Sequence, residues 1–126
     1  MPTSRDITDE VKGGKPQGKA LDVHTWFADE GTQVADMVAS KAVERGAYDL
    51  ELLGRTMAGF LDTEVPVGAG ESEFYILVGI LFYAEGKIAR ALSALKSGRL
   101  PHVDDWLDLS VYGRMARYVM EKGQWP

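Results

Sequence analysis

The stretch AEGKIARALSALKSGRLPHVDDWLDLSVYG, residues 84–113, decides how this chain reads. Gly98 and Pro101 bracket a short turn, SGRLP, between two apolar, helix-spaced segments. The segment before the turn extends back to about Glu73, giving a helix of about Glu73 to Lys96. The segment after it runs from about Val103 to Lys122, and Gly123 ends it. A turn this short makes the two helices antiparallel neighbours. The first of the pair is apolar almost all the way round, which marks a helix buried on most sides. Its two internal glycines, Gly79 and Gly86, each cost roughly 1 kcal/mol relative to Ala. Close approach of another helix is the expected offset.

Working outward, DTEVPVGAGES reads as a loop, because its Pro and Gly break any helical period. Upstream lies a helix of about Tyr48 to Leu61, with Leu50, Leu53, Met57 and Phe60 at three-and-four spacing. Asp49 falls in its first turn, where a negative charge suits the helix dipole. An earlier helix, about Val23 to Arg45, carries Phe27, Val34, Met37, Val38 and Ala42. Gly31 weakens its first half, and Gly46 stops it. Residues 1–19 are polar and rich in Gly, Lys and Pro, and read as a mobile N-terminal arm. No strand alternation and no internal repeat is visible. The expected fold is therefore all-α: a four-helix antiparallel bundle formed by a single domain, residues 20–126.

Composition narrows the function. The chain has 126 residues, a formal charge of −5 and no cysteine. Disulfides, thiolate metal sites and cysteine nucleophiles are excluded, and an intracellular setting is compatible. No Lys/Arg run forms the basic footprint of a nucleic-acid binder. The N-terminus has no apolar signal region, and no apolar run is long enough for a membrane span. Neither nucleic acid nor membrane is an expected partner.

The acidic turn of the last helix carries the chemistry. On a helical wheel at about 100° per residue, Tyr112, Met115, Val119 and Asp108 fall within about 80° of Asp105. Arg114 and Arg117 lie roughly opposite. Dipole compensation accounts for Asp104 and Asp105, but Asp108 lies beyond the first turn and along the apolar stripe. A buried carboxylate needs a cation or several donors. Folding back around Arg99 brings Asp108 close to Arg90 and Lys87, and Asp105 near Ser93 and Ala94. Two readings stay open: a Lys87/Arg90–Asp108 ion pair, or a site where the aspartates hold magnesium and the cations receive a phosphate.

These residues resemble a known family. DDWLDLSVYGRMA is similar to the second acidic motif of the MazG-like all-α nucleotide pyrophosphohydrolases. GKIARALSAL, SGRLP, GQWP and the upstream SKAVERGAYDLELLGR resemble the small MazG-like proteins of actinobacterial phages. The resemblance covers about Val38 to Pro126. It implies a helical bundle, commonly a homodimer or homotetramer, that uses Mg²⁺ to cleave a nucleoside triphosphate to the monophosphate and pyrophosphate. It also implies a cytoplasmic location, in the host if phage-encoded. Asp105 and Asp108 match the acid-x-x-Asp pair and become the candidate metal ligands.

The sequence departs from the family pattern at the other acidic pair, where Ala84 and Lys87 stand and Glu85 lies one position off. Completion of a metal cage by Glu85, Glu44 or Asp49 is one outcome. Loss of the metal, leaving a protein that binds or only packs, is the other. Glu85 also reads as a boundary residue, and Lys41 and Glu44 as a surface i,i+3 pair. Lys41, Lys87 and Arg90 are the candidate phosphate-binding cations. Lys87 and Arg90 would neutralise the leaving pyrophosphate, and Asp104 would orient the water. His24 and His102 form no ligand motif. Trp106 and Trp125 are candidates for a partner contact or for packing within the chain.

Overall fold

A computed structural model describes residues 18–126 of the chain. Most of the expected N-terminal arm therefore lies outside the described residues. Four helices follow in order: α1 (Lys19–Glu44), α2 (Ala47–Leu61), α3 (Glu71–Lys96) and α4 (Val103–Lys122). The fold is all-α, and no strand occurs among the described residues. None of the described helices is long and apolar enough to cross a membrane. By compactness the chain divides into two units, one ending at Asp36 and the other Met37–Pro126. In the first, α1 starts at Lys19 and runs unbroken through Gly31. Trp26 and Phe27 are exposed there and meet edge to face, so Phe27 is not the core residue its spacing implied.

The second unit contains the site. Its central element is α3, which packs against α2 on one flank and α4 on the other. The α2–α3 contact is built on absent side chains. Leu50, Gly54 and Ala58 form the buried stripe of α2. A Cβ at Gly54 would collide with the Tyr75 carbonyl, and one at Gly79 with the Leu50 carbonyl. Gly79 thus has the close approach expected of it. Gly86 does not, since open space surrounds it. The expected α2 stripe needs correction at Phe60, which is exposed. The backbones approach along the small residues, and the larger ones are turned to the flanks.

The α3–α4 contact buries Ile80, Ala91 and Ala94 from α3, with Val111, Tyr112, Met115 and Val119 from α4. At the turn, Gly98 takes a positive φ of 76°, which lets the Arg99 N–H reach the Ala94 carbonyl at 2.9 Å. His102 caps α4 by accepting from the Asp104 N–H. Gly123, at φ 73°, ends it. The expectation of a helix buried on most sides fails for α3. Leu81, Ile88, Leu92 and Leu95 are all exposed, because its two neighbours cover two flanks and leave the face between open.

The segment after α4 folds back on the same unit. The Trp125 Nε1–H donates to the Arg45 carbonyl at 2.8 Å, and the Ala47 N–H donates to the Pro126 carbonyl at 2.8 Å. The second bond satisfies a donor that the start of α2 otherwise leaves open. Trp125 is buried, with its ring edge-on to Tyr118. It packs within the chain, whereas Trp106 is exposed.

Candidate functional site

The wheel places Asp105 and Asp108 on the core stripe of α4, and the fold does the same. Asp105 is 6% exposed, and it sits among the buried residues of α4. Asp108 is half-buried one turn further on. Their cations come from α3. The Lys87 ammonium lies 2.8 Å from Asp108 Oδ2 and 3.9 Å from Asp105 Oδ1. Arg90 Nε lies 3.8 Å from the same Asp105 oxygen. The pairing expected from folding back around Arg99 is therefore corrected in one respect: Arg90 meets Asp105, and Asp108 meets Lys87. The two cations are three apart on α3 and the two acids three apart on α4, so they share facing turns. Ser93 and Ala94 line a hollow with Asp105, as expected.

Beside this cluster opens a cavity of about 520 Å³. Its walls include Lys41 and Arg45 near the end of α1, Phe82, Tyr83, Glu85, Lys87 and Arg90 from α3, and Tyr112 from α4. Tyr83 and Tyr112 stack, with centroids 5.9 Å apart and planes 13° from parallel. The Arg45 guanidinium lies 4.2 Å from the Tyr83 centroid, and the Lys41 ammonium 5.8 Å from that of Tyr112. Arg45 Nε is buried without a hydrogen-bond partner among the described residues. A chain that is acidic overall thus gathers four cations and one carboxylate around a single aromatic-walled cavity.

The other candidates fall apart spatially. Glu85 lines the cavity but is exposed. Glu44 is exposed and lies 3.7 Å from Lys41, the surface i,i+3 pair. Asp49 is exposed in the first turn of α2. Asp104 is exposed beside His102, away from the cavity walls, which removes the basis for its water-orienting role. His24 is exposed in the first unit. No group of three or more His, Asp or Glu side chains able to hold a metal ion occurs among the described residues. The donor set does not fit a magnesium ion. The two inward carboxylates face an ammonium group, and among the described residues no third acid joins them. Lys87, expected to receive a phosphate, lines the cavity and is paired with Asp108.

Arg45, Tyr83 and Tyr112 were missed as site residues. Tyr112 reads as core on the wheel, and Arg45 as a helix end. A signal existed in SKAVERG, where Lys41 and Arg45 are one helical turn apart and so project from one face. The chain matches no family model, no curated protein and no solved structure.

Proposed function

We propose that this chain is a catalytically degenerate MazG-like protein that binds a nucleotide or related phosphorylated aromatic ligand without a divalent metal. One observation carries the reading: Lys87 Nζ is 2.8 Å from Asp108 Oδ2, with Asp105 close by. A tethered ammonium stands between the carboxylates where a catalytic ion would need to be. Metal-assisted cleavage needs a cation that polarises a water or a phosphoryl oxygen. An ammonium group held by two aspartates does neither.

What surrounds the cavity still suits a nucleotide. Arg45 and Lys41 bring a guanidinium and an ammonium to the cavity wall, the second of them 3.7 Å from Glu44, and guanidinium–phosphate hydrogen bonds are among the stronger ones. Arg90 is loosely paired and largely exposed, so it can swing toward an anion. Tyr83 supplies the aromatic wall that a base can reach, because Tyr112 is buried and stacked against it; a base–aromatic contact is worth about 1–3 kcal/mol. Clustering of like charge beside low-dielectric walls concentrates an anion locally even on an acidic protein.

Calorimetric titration with ATP and with adenosine tests this. ATP binds and adenosine binds much more weakly, Arg45→Ala costs the ATP complex about tenfold or more, and Tyr83→Ala weakens both. A pyrophosphate-release assay across NTPs and dNTPs with Mg²⁺ gives no turnover. Turnover that Asp108→Asn abolishes would restore the enzymatic reading, and equal affinity for ATP and adenosine would remove the phosphate from the account.

A further inference from the structure

Two residues, Arg45 and Gly46, link α1 to α2. The segment after α4 grips that link from both sides. The Trp125 Nε1–H donates to the Arg45 carbonyl at 2.8 Å, and the Pro126 carbonyl accepts from the Ala47 N–H at 2.8 Å. Each bond answers a backbone group that a helix end leaves without an intrahelical partner. The grip is itself anchored, because Trp125 is 6% exposed and meets Tyr118 of α4 edge to face. Arg45 therefore springs from a backbone held from outside its own helix. Its Nε is buried, and its guanidinium lies in the cavity wall, 4.2 Å from the Tyr83 centroid. A side chain seated in this way has few rotamers open to it, so its reach into the cavity follows the backbone.

We propose that Trp125 is a positioning residue for Arg45, and that phosphate in the cavity and closure of the C-terminal segment reinforce each other, a proposal that rests on the reading of Arg45 as a phosphate ligand. Trp125 is not among the residues that line the cavity. It acts through one carbonyl oxygen, that of Arg45. A guanidinium bonds a phosphate well only over a narrow range of distance and direction. Releasing the Arg45 carbonyl therefore weakens the phosphate contact and leaves the base contact alone. The coupling is reciprocal. Whatever the Trp125 bond adds to ATP binding, bound ATP adds to the stability of the Trp125 and Pro126 bonds. Adenosine has no phosphate and lies outside the coupling. A tryptophan that only packed would lower stability when altered and leave no mark specific to phosphate.

A double-variant cycle on the full chain, read by calorimetric titration of ATP and of adenosine, is the test. Trp125→Phe keeps a buried ring and removes the N–H. It weakens ATP about fivefold, the worth of one hydrogen bond, and leaves adenosine unchanged. In the Arg45→Ala background, where the backbone carbonyl is still present, Trp125→Phe changes ATP affinity by about twofold at most. Hydrogen exchange of the wild type gives a second reading that needs no variant: ATP slows exchange at the Ala47 amide, and adenosine does not. An equal Trp125→Phe loss in both backgrounds overturns the proposal, as does no loss at all, or an Ala47 amide that ATP leaves unprotected. Those outcomes leave the phosphate reading standing wherever Arg45→Ala alone still weakens ATP. An Arg45→Ala variant that binds ATP as the wild type does removes that reading and the positioning role together.

Discussion

Two charge clusters in this molecule have similar chemistry and opposite surroundings. On α3 and α4, Lys87 and Arg90 face Asp105 and Asp108. On α2 and α3, Arg55 bonds Glu51 at 3.0 Å and Glu71 at 2.9 Å, with its guanidinium 4.3 Å from the Tyr75 centroid. The second cluster has more close contacts, although the shortest of all, Lys87–Asp108 at 2.8 Å, lies in the first. Yet Arg55 and Glu71 are well exposed, while the Asp105 side chain is 8% exposed. Water can replace the partners of Arg55 and cannot readily replace those of Asp105. Burial, rather than the number of close contacts, therefore marks the cluster that matters more to the fold.

The sharpest way to break this contrast is Lys87→Met. It leaves Asp105 and Asp108 facing each other with one loose cation, at a cost of about 3 kcal/mol in denaturant unfolding. Adding Asp105→Asn and Asp108→Leu returns most of that loss, because removing a whole buried ion cluster is often neutral. A triple variant no more stable than the single one would mean that packing of the Lys87 stem was responsible. Asp108→Asn comes next, at about 2 kcal/mol, since a neutral amide still accepts from the ammonium but less strongly.

The surface cluster should respond far less. Arg55→Ala lowers the unfolding midpoint only slightly, and the difference shrinks in molar salt, whereas the Lys87→Met difference persists. The smallest effect is in pH. The Ser72 hydrogen bond, and then Arg55, hold the Glu51 carboxyl below its usual value near 4.5. A carboxylate lowered in this way adds stability above the unfolded-state value and loses it as pH falls through the folded one. Stability curves of the parent and Glu51→Gln therefore differ at neutral pH and converge in acid.

The contrast also explains what could be read from residues alone. Helix ends were legible because Gly98, Pro101 and Gly123 act locally, and α4 was expected to run from Val103 to Lys122, as it does. The inward direction of Asp105 and Asp108 followed from periodicity. Phe60 was misplaced because periodicity cannot tell a stripe of large residues from one of small residues that admits a neighbouring backbone. The open side of α3 was invisible for a related reason: an apolar residue has the same identity whether this chain or another covers it. Arg45, just past the end of α1, and Tyr83, on α3, have no sequence relation, so their contact is a product of packing alone.

With Lys87 proposed to stand in for a metal, nucleotide binding is predicted to need no divalent cation. ATP titrated into the protein in excess EDTA, and again in saturating Mg²⁺, tests that most directly. The predicted result is binding in EDTA at least as tight as with Mg²⁺, because the free nucleotide presents more negative charge to Lys41, Arg45 and Arg90. Binding seen only when Mg²⁺ is present would contradict it.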